Sequence, residues 1–336
     1  MNRSPRVGIL LAIALLLGAI PSYSRTWHVK QDGTGDATTI DGGFYYTSPG
    51  DTILVGPGTY CQPPIRLEQV HLISEQGPEV TILQLCPYAM EDVQVIIIED
   101  VPGPCSVIGF TIAGARNGYL NAGGGIRCAR SGAIIKGNII MDNWCSSGGG
   151  LACDGSPAPI VENNLFHMNG AVAGAAIEIY DCSPIIISNT VTNNWASDGA
   201  GAIVIFGNNS YPVISNNVIV DNQCNSDAKG AIDCFTPAEQ VAFSCNDVWG
   251  NHPSNYDGTM SDQTGLNGNI SLDPLFCGIL RSGNYYLQEG SPCEEGNGPA
   301  ACGESRMGCY QVKCTVGIEH ESWGKIKGLY EGGGRK

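Results

Sequence analysis

From Ile126 onward, short apolar runs alternate with polar, Gly-rich punctuation, and the alternation returns in register. "GGGLACDGSPAPIVENNLFHMN", beginning at Gly148, is followed by "GAAIEIYDCSPIIISNTVTNN" and then by "GAIVIFGNNSYPVISNNVIVDN". The apolar starts of successive units fall at Ile126, Leu151, Ile177, Ile203 and Ile232. One Asn in each unit also aligns, at Asn138, Asn164, Asn189, Asn217 and Asn246, with steps of 26, 25, 28 and 29 residues. A second Asn follows five positions behind each, at Asn143, Asn169, Asn194, Asn222 and Asn251. No segment is long enough, or has the 3.6-residue period, for a helix. The β-branched, partly alternating triplets read instead as short strands, and Gly, Asn and Ser-Pro mark the bends between them.

Short strands recurring at this period predict a parallel solenoid. Each coil gives one strand to each of several sheets, and coils stack about 4.8 Å apart. The register predicts one all-β solenoid of about seven coils. The period of two then sorts the strand that opens each unit. Ile126, Cys128, Leu151, Cys153, Ile177, Ile179, Ile203, Ile205, Ile232 and Cys234 point inward. Arg127, Asp154, Glu178, Tyr180, Phe206, Asp233 and Phe235 point outward. The aligned Asn residues suit a left-handed bend, and their amides suit a hydrogen-bonded ladder from coil to coil.

Composition narrows the picture. Gly numbers 46, charged residues are 15% and hydrophobic ones 43%, which excludes a helical bundle and a disordered chain. The formal net charge of −15, with no basic patch, argues against nucleic-acid binding. Arg3 and Arg6 precede an apolar run from Val7 to Ile20, and Ser22 and Ser24 set the small residues of a cleavage site. Residues 1–24 therefore read as a secretory signal peptide, leaving no membrane span. Residues 25–314 form the expected β-helix domain. Residues 315–336, with "SWGKIKGLY", form a C-terminal tail, either a sorting tag or a plain terminus.

Three further phrases carry a resemblance. They are "HVKQDGTGDATTI" with "SPGDTILVGPGTY" near the start, "VIGFTI" from Val107 to Ile112, and "SLDPLF" with "NYYLQEGSPC" near the end. The chain resembles right-handed parallel β-helix proteins of the pectin-lyase-like superfamily over Thr26 to Cys314. The resemblance implies an N-terminal strand, a short capping helix and a first coil. It also implies a closing segment, loop-rich and Cys-rich. Gly42-Gly43 departs from a good helix at the expected cap. The signatures of polygalacturonases (Asn-Thr-Asp, Asp-Asp, Gly-His-Gly, Arg-Ile-Lys) and of pectin methylesterases are missing, as is an Asp cluster like the calcium site of pectate lyases.

The outward stripe is the candidate site. Aromatic faces stack on pyranose rings, and carboxylates and guanidinium groups bond hydroxyls; Arg127, Tyr180, Phe206 and Phe235 are the candidate ligand-binding residues. Glu178, Asp233 and Asp154 are the weak catalytic candidates, since paired carboxylates cleave glycosidic bonds. Binding of polysaccharide by a secreted or cell-surface monomer is the favoured function. The alternatives are a lyase or hydrolase of an unrecognised family and a structural surface protein. No metal and no cofactor are expected: the cysteines lack zinc spacing, and His167 sits alone on another face. The fifteen cysteines leave at least one unpaired within the chain. Cys128, Cys153 and Cys234 are expected as core thiols, with at least one disulfide among Cys293, Cys302, Cys309 and Cys314, in a segment closing the C-terminal end.

Overall fold

The computed structural model describes residues 24–86, 94–116, 122–225, 229–278 and 284–314. The expected signal peptide, except its last residue, and the tail at 315–336 lie outside the described residues. The chain winds as a right-handed parallel β-helix whose coils build parallel sheets of eight, nine, eight and four strands. One coil shows the path. Ile126–Ala129 lies in the first sheet, Ile134–Lys136 in the second, Ile139–Met141 in the third and Trp144–Ser147 in the fourth. Gly148 to Gly150 then carry the chain into Leu151–Asp154, the next strand of the first sheet.

Nine strands in the second sheet exceed the seven coils expected. The surplus lies mainly before Val107, where strands Thr26–Val29, Thr52–Val55 and His71–Ser74 stack without any ladder Asn to announce them. The expected helix is present as Ile40–Phe44, with the Thr39 hydroxyl accepting from the Gly42 amide at its N-terminus. Gly43 is required there: a Cβ would stand 2.8 Å from Val29 Cγ2, so the residue that weakens the helix lets it seat on the first coil.

The inward column is as the alternation predicts. Ile126, Leu151, Ile177, Ile203 and Ile232 are in register, as are Cys128, Cys153, Ile179, Ile205 and Cys234, and all are buried. Cys128, Cys153 and Cys234 are thiols. Burial pushes the Cys128 thiol up to about 12 and Cys153 well above the ordinary range, so both stay protonated and pack as small apolar groups.

Both Asn columns form ladders. Asn164 Nδ2 donates to Asn189 Oδ1 at 3.0 Å and to Ile135 O at 2.8 Å, while its own Oδ1 accepts from the Asn138 backbone amide at 2.9 Å and from Asn138 Nδ2 at 3.0 Å. The second column repeats this from Asn143 to Asn251. The bend and the ladder are divided between neighbours. Asn163, Ser188, Asn216 and Cys245 take the positive φ, and the next residue, a ladder Asn, supplies the amide. Each ladder also runs one step beyond the repeat: Asn246 donates to Asn269 Oδ1 at 3.2 Å, and Asn251 to Asn255 Oδ1 at 3.0 Å.

The C-terminal segment corrects two expectations. It does not simply close the end of the solenoid. Phe276, Tyr285, Leu287, Cys293 and Met307 pack on Leu165, Val218 and Val220, on the outer face of the third sheet. Nor do its four late cysteines pair among themselves. Cys302 bonds to Cys245, at a bend of the solenoid, and Cys314 to Cys277; Cys293 and Cys309 remain thiols, and Cys61–Cys86 links two early coils. Laid along the third sheet, the segment brings Cys302 to a partner on the solenoid and Cys314 to one at its own start. The lone His167 is part of this seam. It is buried with Nδ1 3.0 Å from the Tyr285 hydroxyl, and burial lowers its pKa, so it is held neutral as a structural group.

Candidate ligand-binding face

The outward positions of the first sheet form two columns. In one, Arg127, Ala152, Glu178, Val204 and Asp233 stand in register; in the other, Ala129, Asp154, Tyr180 and Phe206 do. Phe235 continues the second column and stacks on Phe206, with ring centroids 5.1 Å apart and planes 15° apart. The structure therefore brings all seven predicted residues onto one sheet face but gives the two columns different fates.

The aromatic column is open. Tyr180 is 49% and Phe235 50% exposed, and Phe206 is half-buried between them. Lys229 Nζ lies 5.0 Å over the Phe235 ring, adding a cation to the apolar surface. At the other end, Asp154 Oδ2 is 3.5 Å from Arg127 Nη2, which also reaches Glu99 Oε1 at 3.9 Å.

The first column is roofed. Gly123, Gly148 and Gly174, at three of the turns into the first sheet, have positive φ and pass directly over this column. A Cβ on Gly148 would lie 3.0 Å from Glu178 Cβ, and one on Gly174 would lie 2.4 Å from Val204 Cγ1. Only glycine fits such a crossing. Ala152 and Val204 are buried as a result, although they point outward.

Asp233 departs most from expectation. It is outward but only 1% exposed, with Oδ2 3.1 Å from Lys229 Nζ, and burial raises its carboxyl despite that lysine. Glu178 is half-buried at the floor of an open groove of about 560 Å³, with Arg66, Glu99, Arg127 and Ser147 on its walls. Burial raises the Glu178 carboxyl; Asp154 adds to the effect and Arg127 opposes it. Glu178 and Asp233 are two coils apart with Val204 between them, so about 9 to 10 Å separates their backbones. They do not face one another across a substrate path.

Three residues of this surface escaped the sequence reading. Arg66 and Glu99 belong to early coils that lack the ladder Asn. Lys229 lies just before the strand Gly230–Cys234, where nothing in the repeat distinguishes it. Its pairing with Asp233 has no sequence signal, because an i, i+4 spacing brings side chains together on a helix and not along a strand.

The fold and this face define the class: a right-handed parallel β-helix with a mixed aromatic and charged surface on its first sheet. Residues 96–248 match the family model described as "Right handed beta helix region". No curated protein matches the chain. Among solved structures, a pectin methylesterase mutant in complex with a hexasaccharide is similar, at 10% sequence identity and a TM-score of 0.34, covering 63% of this chain and 70% of that one.

Proposed function

We propose that the protein is an extracellular or cell-surface polysaccharide-binding β-helix, acting by binding rather than cleavage. The open column of Tyr180, Phe206 and Phe235, running along the solenoid axis beside Asp154 and Arg127, carries this reading. Stacked coils place these side chains about 4.8 Å apart per step, so a sugar chain laid along the axis meets them in turn. Asp233, neutralised by Lys229 under cover, and Glu178, behind the glycine turns, are not placed as an acid–base pair. Secretion fits the three disulfides and the reading of residues 1–24 as a leader, with 25–314 as the binding domain.

One observation favours a second reading, a lyase or hydrolase of unrecognised family. The raised Glu178 carboxyl sits at the floor of a groove beside Arg127 and Asp154, where a general acid would stand. A polysaccharide array probed with the mature protein separates the two. Binding weakened by Tyr180→Ala, without release of reducing ends or unsaturated products, supports the binding role. Turnover abolished by Glu178→Gln overturns it. Absence of any glycan binding or turnover leaves a structural surface protein.

A further inference from the structure

The fourth sheet carries a second aromatic surface, outside the face described above. Its strands Trp144–Ser147, Gly170–Ala173, Trp195–Ala196 and Gln223–Cys224 place Trp144, Gly170, Trp195 and Gln223 in one column. The alternation of indole and glycine has a steric reason. A Cβ on Gly170 would lie 2.6 Å from Trp144 Cδ1 and 3.4 Å from its Nε1, so the Trp144 ring occupies the space of the missing side chain. Trp195 is 39% exposed, yet fixed, because its Nε1 donates to Asn225 Oδ1 at 3.1 Å.

A mixed wall faces this column. The residues before the second Asn ladder, Asp142, Met168, Asn193 and Asp221, all have positive φ, and all line the same cleft of about 460 Å³ as the two indoles. Arg116 closes one end, with Nη1 donating to Asp142 O at 2.6 Å and Nη2 to Asp142 Oδ1 at 3.0 Å. The cleft is thus a groove along the solenoid axis, with aromatic surface on one side and amide, carboxylate and guanidinium groups and the Met168 thioether on the other.

We infer that this cleft is a second glycan site, built for a neutral pyranose chain. Two coils separate Trp144 from Trp195, about 9.6 Å along the axis, which is about the length of two linked pyranose rings. Indole faces take the C–H faces of such rings, and the opposite wall takes the hydroxyls. A polyanionic chain is disfavoured. The protein carries a formal charge of −15, and Arg116, the one cation among the described residues of the cleft wall, is already engaged by Asp142. This site shares only its ligand class with the reading of the first sheet, from which it is structurally separate.

The test is titration of the full protein with three neutral linear hexasaccharides (a β-1,4-glucan, a β-1,3-glucan and a β-1,4-galactan) and with hexagalacturonate, followed by tryptophan fluorescence and calorimetry. At least one neutral hexasaccharide should bind and shift the emission, and hexagalacturonate should bind more weakly. Trp195→Ala should weaken that binding by at least about tenfold. Trp195→Phe, which keeps a ring, should retain most of the affinity and guards against a folding defect. Gly170→Ala should weaken binding by displacing the Trp144 indole. Ile185→Ala, on the outer face of the second sheet and outside both surfaces, should leave this titration unchanged. Failure of all three neutral probes, equal or tighter binding of hexagalacturonate, or unchanged affinity in Trp195→Ala overturns the assignment. If neutral binding is lost in Tyr180→Ala but kept in Trp195→Ala, the first-sheet reading stands and this one falls.

Discussion

The first and third sheets share one core and one stacking geometry, yet their outer faces differ. On the third sheet, Ile139, Leu165, Thr190 and Val218 align in one outer column, and Met141, His167, Thr192 and Val220 in the other. On the first, the matching columns hold Arg127, Glu178 and Asp233, and Asp154, Tyr180 and Phe206. The apolar face is covered by the C-terminal segment, while the mixed face keeps an open aromatic column. Apolar residues on the outside of the third sheet are there because the C-terminal segment lies on them. What remains uncovered in a mixed face is where a ligand has room.

That contrast is open to attack, beginning with the largest effect. Val220→Asp buries a charge beneath the C-terminal cover and should cost about 4 kcal/mol or more, whereas Tyr180→Asp on the open column should stay within about 1 kcal/mol. Denaturant midpoints measure both; equal losses would mean that the two faces are covered alike. Cys245→Ser removes the disulfide to Cys302 that fastens the cover to the solenoid. It should cost about 2 to 4 kcal/mol and increase proteolysis of the segment after Met260, which gel analysis of limited digests would reveal.

The seam should also respond to pH. Asp247 is fully buried beneath the cover, with Oδ2 3.2 Å from Cys293 Sγ, and burial raises its carboxyl from 3.8 to about 6. A raised folded pKa means that the folded chain holds the proton more tightly than the unfolded one. The contribution is therefore full below about pH 4 and is lost as pH rises through about 6. The difference in stability between wild type and Asp247→Asn should change by about 2 kcal/mol between pH 4 and pH 7. A constant difference would place Asp247 in contact with water. The smallest effect concerns the open face: Phe206→Ala should weaken glycan binding about tenfold, or about 1.4 kcal/mol, without moving the denaturant midpoint appreciably. A lowered midpoint with unchanged binding would make this ring part of the scaffold.

Much of this architecture was legible in the chain. The aligned Asn residues announced the coils that carry them, and alternation in "IEIY" and "IVIF" sorted inside from outside. Three things were hidden, each for a physical reason. Early coils lack ladder amides, so counting Asn residues undercounts coils. Alternation tells which way a side chain points but not what crosses above it, and the glycine turns that bury Val204 and crowd Glu178 belong to a neighbouring coil. The C-terminal cover depends on contacts such as Tyr285 with His167, 118 residues apart, which no local pattern encodes.

Ladder steps of 25, 28, 29 and 23 residues all end in the same amide-to-amide bond. The bond registers only the coil above, not the length of chain spent reaching it. A lineage of such proteins is therefore free to duplicate a coil, drop one, or lengthen a single turn while the remaining amides keep their partners. The length of the solenoid, and with it the extent of its outer faces, is a quantity that selection can adjust one coil at a time.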